Sequence, residues 1–232
     1  MTEESQKQSG WLVFVRDVAI MALLIFAARS AFADWYRVPT GSMKPTILEG
    51  DRVFVNRVAY DLKIPFTRVH LMKWGDPERG QVVVLHSPKD GTRLIKRVIG
   101  VPGDEIQIRD QMLFINGSPI SVEPLAPSEL DAVNDMMPSD LVNHSFGLEA
   151  LPGQSHAVMH RNGLAFRNAY DIEVPQDHYY VMGDNRDSSA DSRVFGLVHR
   201  DLVVGHAKSI IMSFDQEQFL SPRWDRFFES LR

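Results

Sequence analysis

The sequence predicts a mostly β protein set behind an apolar N-terminal segment, and three observations predict it. Short alternating or apolar runs recur from Arg52 onward, Gly-Asp and Pro-Gly pairs punctuate them, and one long apolar stretch precedes them all. The 232 residues, 44% of them hydrophobic, can bury a good core in one domain with a smaller subdomain. A formal charge of −5 leaves no electrostatic footprint for nucleic acid, so no such partner is expected. The lack of cysteine excludes disulfides, thiolate zinc sites and thiol catalysis, and leaves the compartment open.

Taken in order, Met1 to Gly10 is polar and predicts a disordered tail. Trp11 to Ala33 turns apolar around the uninterrupted run Val18 to Ala28. That run is shorter than the roughly 20 residues a bilayer requires. Extending it to Trp11 and Phe32 supplies the length but takes in Arg16, Asp17 and Arg29, of which Arg29 can snorkel. Three readings stand here: a membrane-spanning anchor, a cleavable secretory signal ending in Ala31-Phe32-Ala33, and a buried helix. The flanking Lys and Arg residues do not orient the segment.

Strands are predicted at Arg52–Val55, Gln81–Leu85, Arg93–Ile99, Glu105–Ile108 and Met112–Ile115, the last closing on the hairpin signal Asn116-Gly117. Turns fall at Gly50-Asp51, Gly75-Asp76 and Pro102-Gly103-Asp104. From about Pro119 to Pro175 the period weakens, which marks an insertion or cap. Strand pattern returns at His178–Met182 and Leu202–Ala207. The tail from Pro222 to Arg232 carries aromatic residues at helical spacing and predicts a short amphipathic helix. The division is therefore a tail (1–10), an apolar segment (11–33), a core (34–115), a cap (116–176) and the rest of the core (177–232).

The chemistry centres on Val38-Pro39-Thr40-Gly41-Ser42-Met43-Lys44-Pro45-Thr46. Prolines on both sides of Ser42 restrict the backbone, and Gly41 permits a close approach. A serine nucleophile needs a base, yet none of the eight histidines lies in a signature that selects it. Both Gly-x-Ser-x-Gly and Ser-x-x-Lys are absent. His156 and His160 stand four apart without the Glu of a zinc helix, so no metal is expected there. Lys96 is the better base. It shares a strand face with Leu94 and Val98, while Arg97 points the other way. An amine among aliphatic side chains holds its proton less tightly. The ordinary alternative is a lysine that snorkels from an edge strand. A third stretch, Gly183 to Arg193, reads as a charged polar turn and does not match a calcium loop.

Together these stretches resemble bacterial type I signal peptidases, the membrane-bound leader peptidases. The likeness covers the apolar segment, the Ser42 stretch, Arg52–Val55, the Lys96 strand continued through Val98-Ile99-Gly100-Val101-Pro102-Gly103-Asp104, and the Gly183–Arg193 loop. It leaves 119–175 unmatched. The resemblance implies a mostly β fold: a coiled antiparallel β-sheet catalytic core with a smaller β-rich cap insertion, preceded by an N-terminal transmembrane helix. It implies a serine endopeptidase, free of cofactors, that removes signal peptides from exported preproteins after small residues at −1 and −3. Ser42 would be the nucleophile, Lys96 the general base, Ser189 the residue that orients the lysine, and Thr40 an oxyanion donor beside the Ser42 N–H. Asp184 with Arg186, and Asp191 with Arg193, would be the ion pairs that shape the loop. Tyr36, Val38, Met43, Ile47, Val53, Leu94 and Ile95 would form the substrate walls. The implied setting is a monomer in the bacterial inner membrane, single-pass, with its catalytic domain on the periplasmic face and lipid and preproteins as partners. Two rival readings are a self-cleaving Ser/Lys repressor-type peptidase and an inactive membrane-anchored preprotein-binding relative. The first lacks its DNA-binding domain here, and the second would be free to lose Ser42 or Lys96.

Overall fold

The computed structural model describes residues 3–64, 67, 69–109, 112–130, 133–163, 170–215 and 221–231. A helix, α1 (Glu3–Phe32), precedes the first strand. It takes in most of the stretch predicted as a disordered tail, because a helix once nucleated gains a hydrogen bond for each residue it adds. Trp11, Leu12, Phe14, Ile20, Met21 and Leu23 on it are all exposed. Arg16 and Asp17 form an exposed ion pair at 2.9 Å. Among the described residues no helix is long and apolar enough to cross a membrane. The side chains of Arg29, Ala31 and Ala33, on which part of the sequence reading turns, lie outside the described part.

The strands of the first half are β1 (Ala33–Arg37), β2 (Asp51–Asn56), β3 (Asp61–Lys63), β4 (His70–Lys73), β5 (Val82–His86) and β6 (Arg93–Gly100). Then come β7 (Glu105–Arg109), β8 (Met112–Ile115), β9 (Ser118–Pro119) and β10 (Val122–Leu125). A short helix α2 (Pro138–Asn143) leads into β11 (His144–Leu151), β12 (Gln154–Arg161), β13 (Tyr170–Glu173) and β14 (His178–Met182). The chain ends with α3 (Ser192–Phe195), β15 (Val198–His199), β16 (Val203–Asp215) and β17 (Ser221–Pro222).

The large sheet runs β1-β2-β16-β5-β6-β14-β15, with β17 attached to β16. Its long central strand β16 pairs antiparallel with β2 along one edge and β5 along the other, and the register shifts in both ladders. Such bulges bend a strand and increase its twist. The sheet curls far enough that the Arg93 guanidinium at the start of β6 lies 4.2 Å from the Tyr36 ring on β1. Inside the curl, Val38, Met43, Ile47, Val53, Val55, Val82 and Val84 form one buried cluster. Each such aliphatic side chain contributes roughly 1.5–3 kcal/mol when removed from water.

A second sheet, β13-β7-β8-β9, and a third, β10-β11-β12, make up the predicted cap region. The second draws β7 and β8 from before residue 116, so this β structure starts earlier than the sequence division suggests. The reason is packing: Ile106, Ile108, Leu113 and Ile115 bury themselves with Leu151 and Val174. The Asn116-Gly117 signal is met by two positive φ angles, 53° and 76°, that turn β8 into β9. The predicted C-terminal amphipathic helix is instead a single 3-10 turn at Trp224–Arg226. Arg226 there is buried and ion-paired with Asp51 at 2.8 Å, and Phe228, with a φ of 63°, takes the chain out of helical conformation.

Candidate active site

The Ser42 loop leaves β1 and returns to β2, and its neck is closed by the Val38 N–H on Asp51 O at 2.9 Å and the Gly50 N–H on Val38 O at 3.0 Å. Ser42 rides on this loop with its Oγ 2.6 Å from Lys96 Nζ. The amine also donates to Ile95 O at 3.0 Å. Lys96 is only 2% exposed, with Leu94 and Val98 on its own face of β6 and Val83 opposite it on β5. Burial lowers its pKa to about 8; the Asp191 and Asp184 carboxylates oppose that shift, and Arg193 adds to it. A serine hydroxyl and an amine that readily loses its proton therefore stand in hydrogen-bond contact. That is the minimum apparatus for base-assisted nucleophilic attack.

The Gly183–Arg193 loop supports this pair from behind. The Asn185 N–H donates to Ser42 O at 3.2 Å, and Asn185 Nδ2 donates to Gly41 O at 3.1 Å. Gly183 has to be glycine, since a Cβ there would strike the Ser42 carbonyl oxygen and the Ser189 side chain. Asp184 does not pair with Arg186 as the sequence predicts. It accepts from Arg97 Nε and Nη2 at 2.9 and 2.8 Å and from Thr46 Oγ1 at 2.6 Å. Arg97 lies on the face of β6 opposite Lys96 and is fully buried, so it requires a carboxylate there. Burial works to raise the Asp184 pKa, but the Arg97 charge and hydrogen bond and the neighbouring His156 outweigh it and hold the carboxyl below its usual range. Arg186 turns instead to Glu149 on β11. The predicted Asp191–Arg193 pair is present at 2.7 Å, and Asp191 also accepts the Gly183 N–H at 3.0 Å. The buried Ser189 Oγ lies toward the Asp191 carboxylate, whose pKa it helps, against burial, to lower, and makes no hydrogen bond to Lys96.

Thr40 is exposed two residues before Ser42. Neither its hydroxyl nor the Ser42 N–H has a hydrogen-bond partner among the described residues, so both donors are available at the loop. Tyr36, Val38, Met43, Ile47 and Val53 share one buried cluster, with Ile95 packed against it. Leu94 is not brought to them; it packs with Val83, Leu85, Val98 and Val181, because consecutive residues of a strand face opposite ways. Beside this cluster two strand edges are left without a further strand partner among the described residues. β1 is the outermost strand of its sheet. In β6, residues 93–96 pair with β5 alone, since β14 joins only from Arg97 onward.

Several residues that shape the site escape sequence reasoning. Lys44 is buried and ion-paired with Glu49 at 2.7 Å and with Asp140 of α2 at 2.8 Å, which ties the cap to the Ser42 loop. Glu149 and His156 come from the cap sheet as well. His156 and His160 lie on strand β12, not on a helix. His156 Nε2 is 3.6 Å from Asp184 Oδ1, and burial, with the Arg97 charge, holds its pKa well below the usual value. The available signal is that Lys44 and Arg97 each stand next to a residue of a motif and, if buried, must find a carboxylate.

Comparison with known proteins agrees with this geometry. The family described as "Signal peptidase, peptidase S26" matches residues 11–212. A Signal peptidase I of Pseudomonas fluorescens is 33% identical over 207 residues, covering 83% of this chain and 69% of the relative. Signal peptidase I P of Bacillus subtilis subsp. natto is 32% identical over 216 residues, covering 92% of this chain and 96% of the relative. Signal peptidase I of Rickettsia akari is 32% identical over 231 residues, covering 91% and 82%. With its Ser42 loop, Lys96 strand and Gly183–Arg193 loop all inside the matched region, this chain belongs to the signal peptidase family, peptidase S26.

Proposed function

We propose that this protein is a Ser/Lys-dyad endopeptidase that removes signal peptides from exported preproteins at a membrane surface. One observation carries the proposal: the 2.6 Å contact between Ser42 Oγ and the buried amine of Lys96. The preprotein binds as an extended strand on the backbone edges of β1 and β6, as an added strand uses a sheet edge. Its side chains at −1 and −3 point the same way, toward the apolar walls of Tyr36, Val38 and Ile95, which leave room only for small ones.

Neutral Lys96 takes the Ser42 Oγ proton as the oxygen attacks the −1 carbonyl carbon. The charge that develops on the carbonyl oxygen is met by the Ser42 N–H and the Thr40 hydroxyl; one such donor is worth about 2.7–4 kcal/mol in the transition state. Collapse breaks the C–N bond, and the lysine ammonium hands its proton to the leaving amine of the mature protein. Water, deprotonated by the regenerated neutral Lys96, attacks the acyl carbon; the bond to Ser42 Oγ breaks, Lys96 returns the proton to Ser42, and the signal peptide leaves as a carboxylate. In this reading Ser189, on the loop behind the dyad, supports the orientation of the Lys96 amine when substrate is bound. The chain works as a monomer, with α1 holding Ser42 at the bilayer and the catalytic domain on the periplasmic face.

The test is incubation of the detergent-solubilised full chain with a preprotein, followed by N-terminal sequencing of the product. Ser42→Ala and Lys96→Ala should each abolish cleavage while the protein stays folded, and the double variant should be no worse, since members of one catalytic unit are non-additive. Near-normal turnover by either single variant would remove the dyad.

A further inference from the structure

One residue of the Gly183–Arg193 loop holds both carbonyls that flank the nucleophile. Asn185 donates its main-chain N–H to Ser42 O at 3.2 Å and its Nδ2 to Gly41 O at 3.1 Å. A carbonyl only accepts, so the amide nitrogen is the side-chain atom that faces Gly41. The Lys44 N–H makes the second bond to Gly41 O, also at 3.1 Å. Asn185 is buried, and its neighbours in the chain are tied to the cap sheet. The Met159 N–H on β12 donates to Asp184 O, and the Arg186 N–H donates to Met159 O, each at 3.0 Å. Two donors thus reach the Ser42 loop from a segment that is itself fixed.

Gly41 O and the Ser42 N–H belong to one peptide unit. That unit is planar and trans, so its N–H points away from its C=O, and fixing one direction fixes the other. Gly41 offers little resistance of its own to rotation of this plane, because it has no Cβ. A Cβ there would meet Glu49 Oε1 at 2.6 Å and Lys44 Cε at 2.9 Å, so a stiffer residue does not fit. Resting on the Ser/Lys reading given above, we infer that Asn185 is a positioning residue for the reaction: it holds the Gly41–Ser42 peptide so that the Ser42 N–H faces the oxygen of the attacked carbonyl. The Ser42 N–H has no partner among the described residues and is free to meet that oxygen. Lys96 bonds to Ser42 Oγ and to Ile95 O, and Asn185 bonds to neither end of the dyad. Asn185 acts through the direction of one dipole, which counts most where charge develops, in the transition state.

The experiment uses the full chain in detergent with a preprotein, and measures kcat and KM separately from pH 6 to 10. Asn185→Leu keeps the branched shape of the side chain, removes the Nδ2 donor and adds no charge beside the dyad. It should lower kcat about 100-fold, the scale of a lost or misdirected oxyanion donor, and leave KM within about twofold. The pH limb should stay centred near 8, where Lys96 sets it, because the Ser42–Lys96 contact does not pass through Asn185. A residue that merely kept the loop folded would instead raise KM or displace the limb as the dyad came apart. A fall in kcat of less than about tenfold, a matching rise in KM, or a displaced limb would each overturn the inference while leaving the peptidase intact. If Asn185→Leu fails to fold, Asn185→Ala decides by the same readings, and loss of folding in both makes the residue structural and overturns the inference too. Failure of the wild-type protein to cleave the preprotein at all would overturn the proposed function, and the inference with it.

Discussion

At the scale of single residues, the protonation of Lys96 decides when the site works. Its amine is useful only when neutral, and burial brings its pKa to about 8. Cleavage should therefore rise with pH along a limb centred near that value, as the neutral fraction grows. Measuring kcat/KM from pH 6 to 10 checks this. A limb centred near the ordinary histidine value of about 6.5 would point to a different base. Arg97, the next residue, does the opposite job on the opposite face: it stays charged, fully buried, and holds Asp184. Alternation along one strand thus places a proton acceptor and a fixed cation back to back.

At the scale of elements, the cap sheet reaches the catalytic loop through buried charges: Glu149 on β11 to Arg186, and His156 on β12 beside Asp184. Burial and the Arg97 charge keep His156 neutral in the folded protein, with a pKa well below its unfolded value. Its stabilising contribution is therefore full above about pH 6.5 and is lost as pH falls below that, at up to about 1.4 kcal/mol per pH unit. Urea unfolding between pH 5 and 7.5 should show a steeper acid decline for the wild-type protein than for His156→Gln; equal slopes would contradict it. This coupling was not legible in the sequence, and the reason is physical. The strands β6 and β14 and the Asn116-Gly117 turn are written in local alternation and φ preference, and Ser42 and Lys96 stand in distinctive local stretches. The partner of a buried charge is written nowhere locally: Arg97 and Asp184 are 87 residues apart, and nearby Arg186 looks the more natural mate. Leu94 packs away from its neighbour Ile95 because a strand separates neighbours, and the helical spacing of the C-terminal segment yields where Arg226 turns inward to Asp51.

At the scale of the whole molecule, α1 presents Trp11, Leu12, Phe14, Ile20 and Leu23 to the surroundings with no protein covering them. In water that exposure is unfavourable by roughly 25 cal/mol per Å² of apolar surface, and lipid removes it. Full-length chain should therefore sediment with membranes and resist carbonate extraction. Recovery of a soluble form beginning at Asp34 would show instead that Ala31-Phe32-Ala33 is a cleavage site. The rest of the molecule hangs together in a way that bears on how such proteins diversify. Arg186, buried beside the site, takes its carboxylate Glu149 from the cap, and Lys44 shares its charge between Glu49 of its own loop and Asp140 of the cap. Exchanging this cap for that of a relative strands the Arg186 cation and leaves Lys44 with Glu49 alone unless their neighbours change in the same step, so cap and catalytic loops must be inherited, or swapped into chimeras, as one unit.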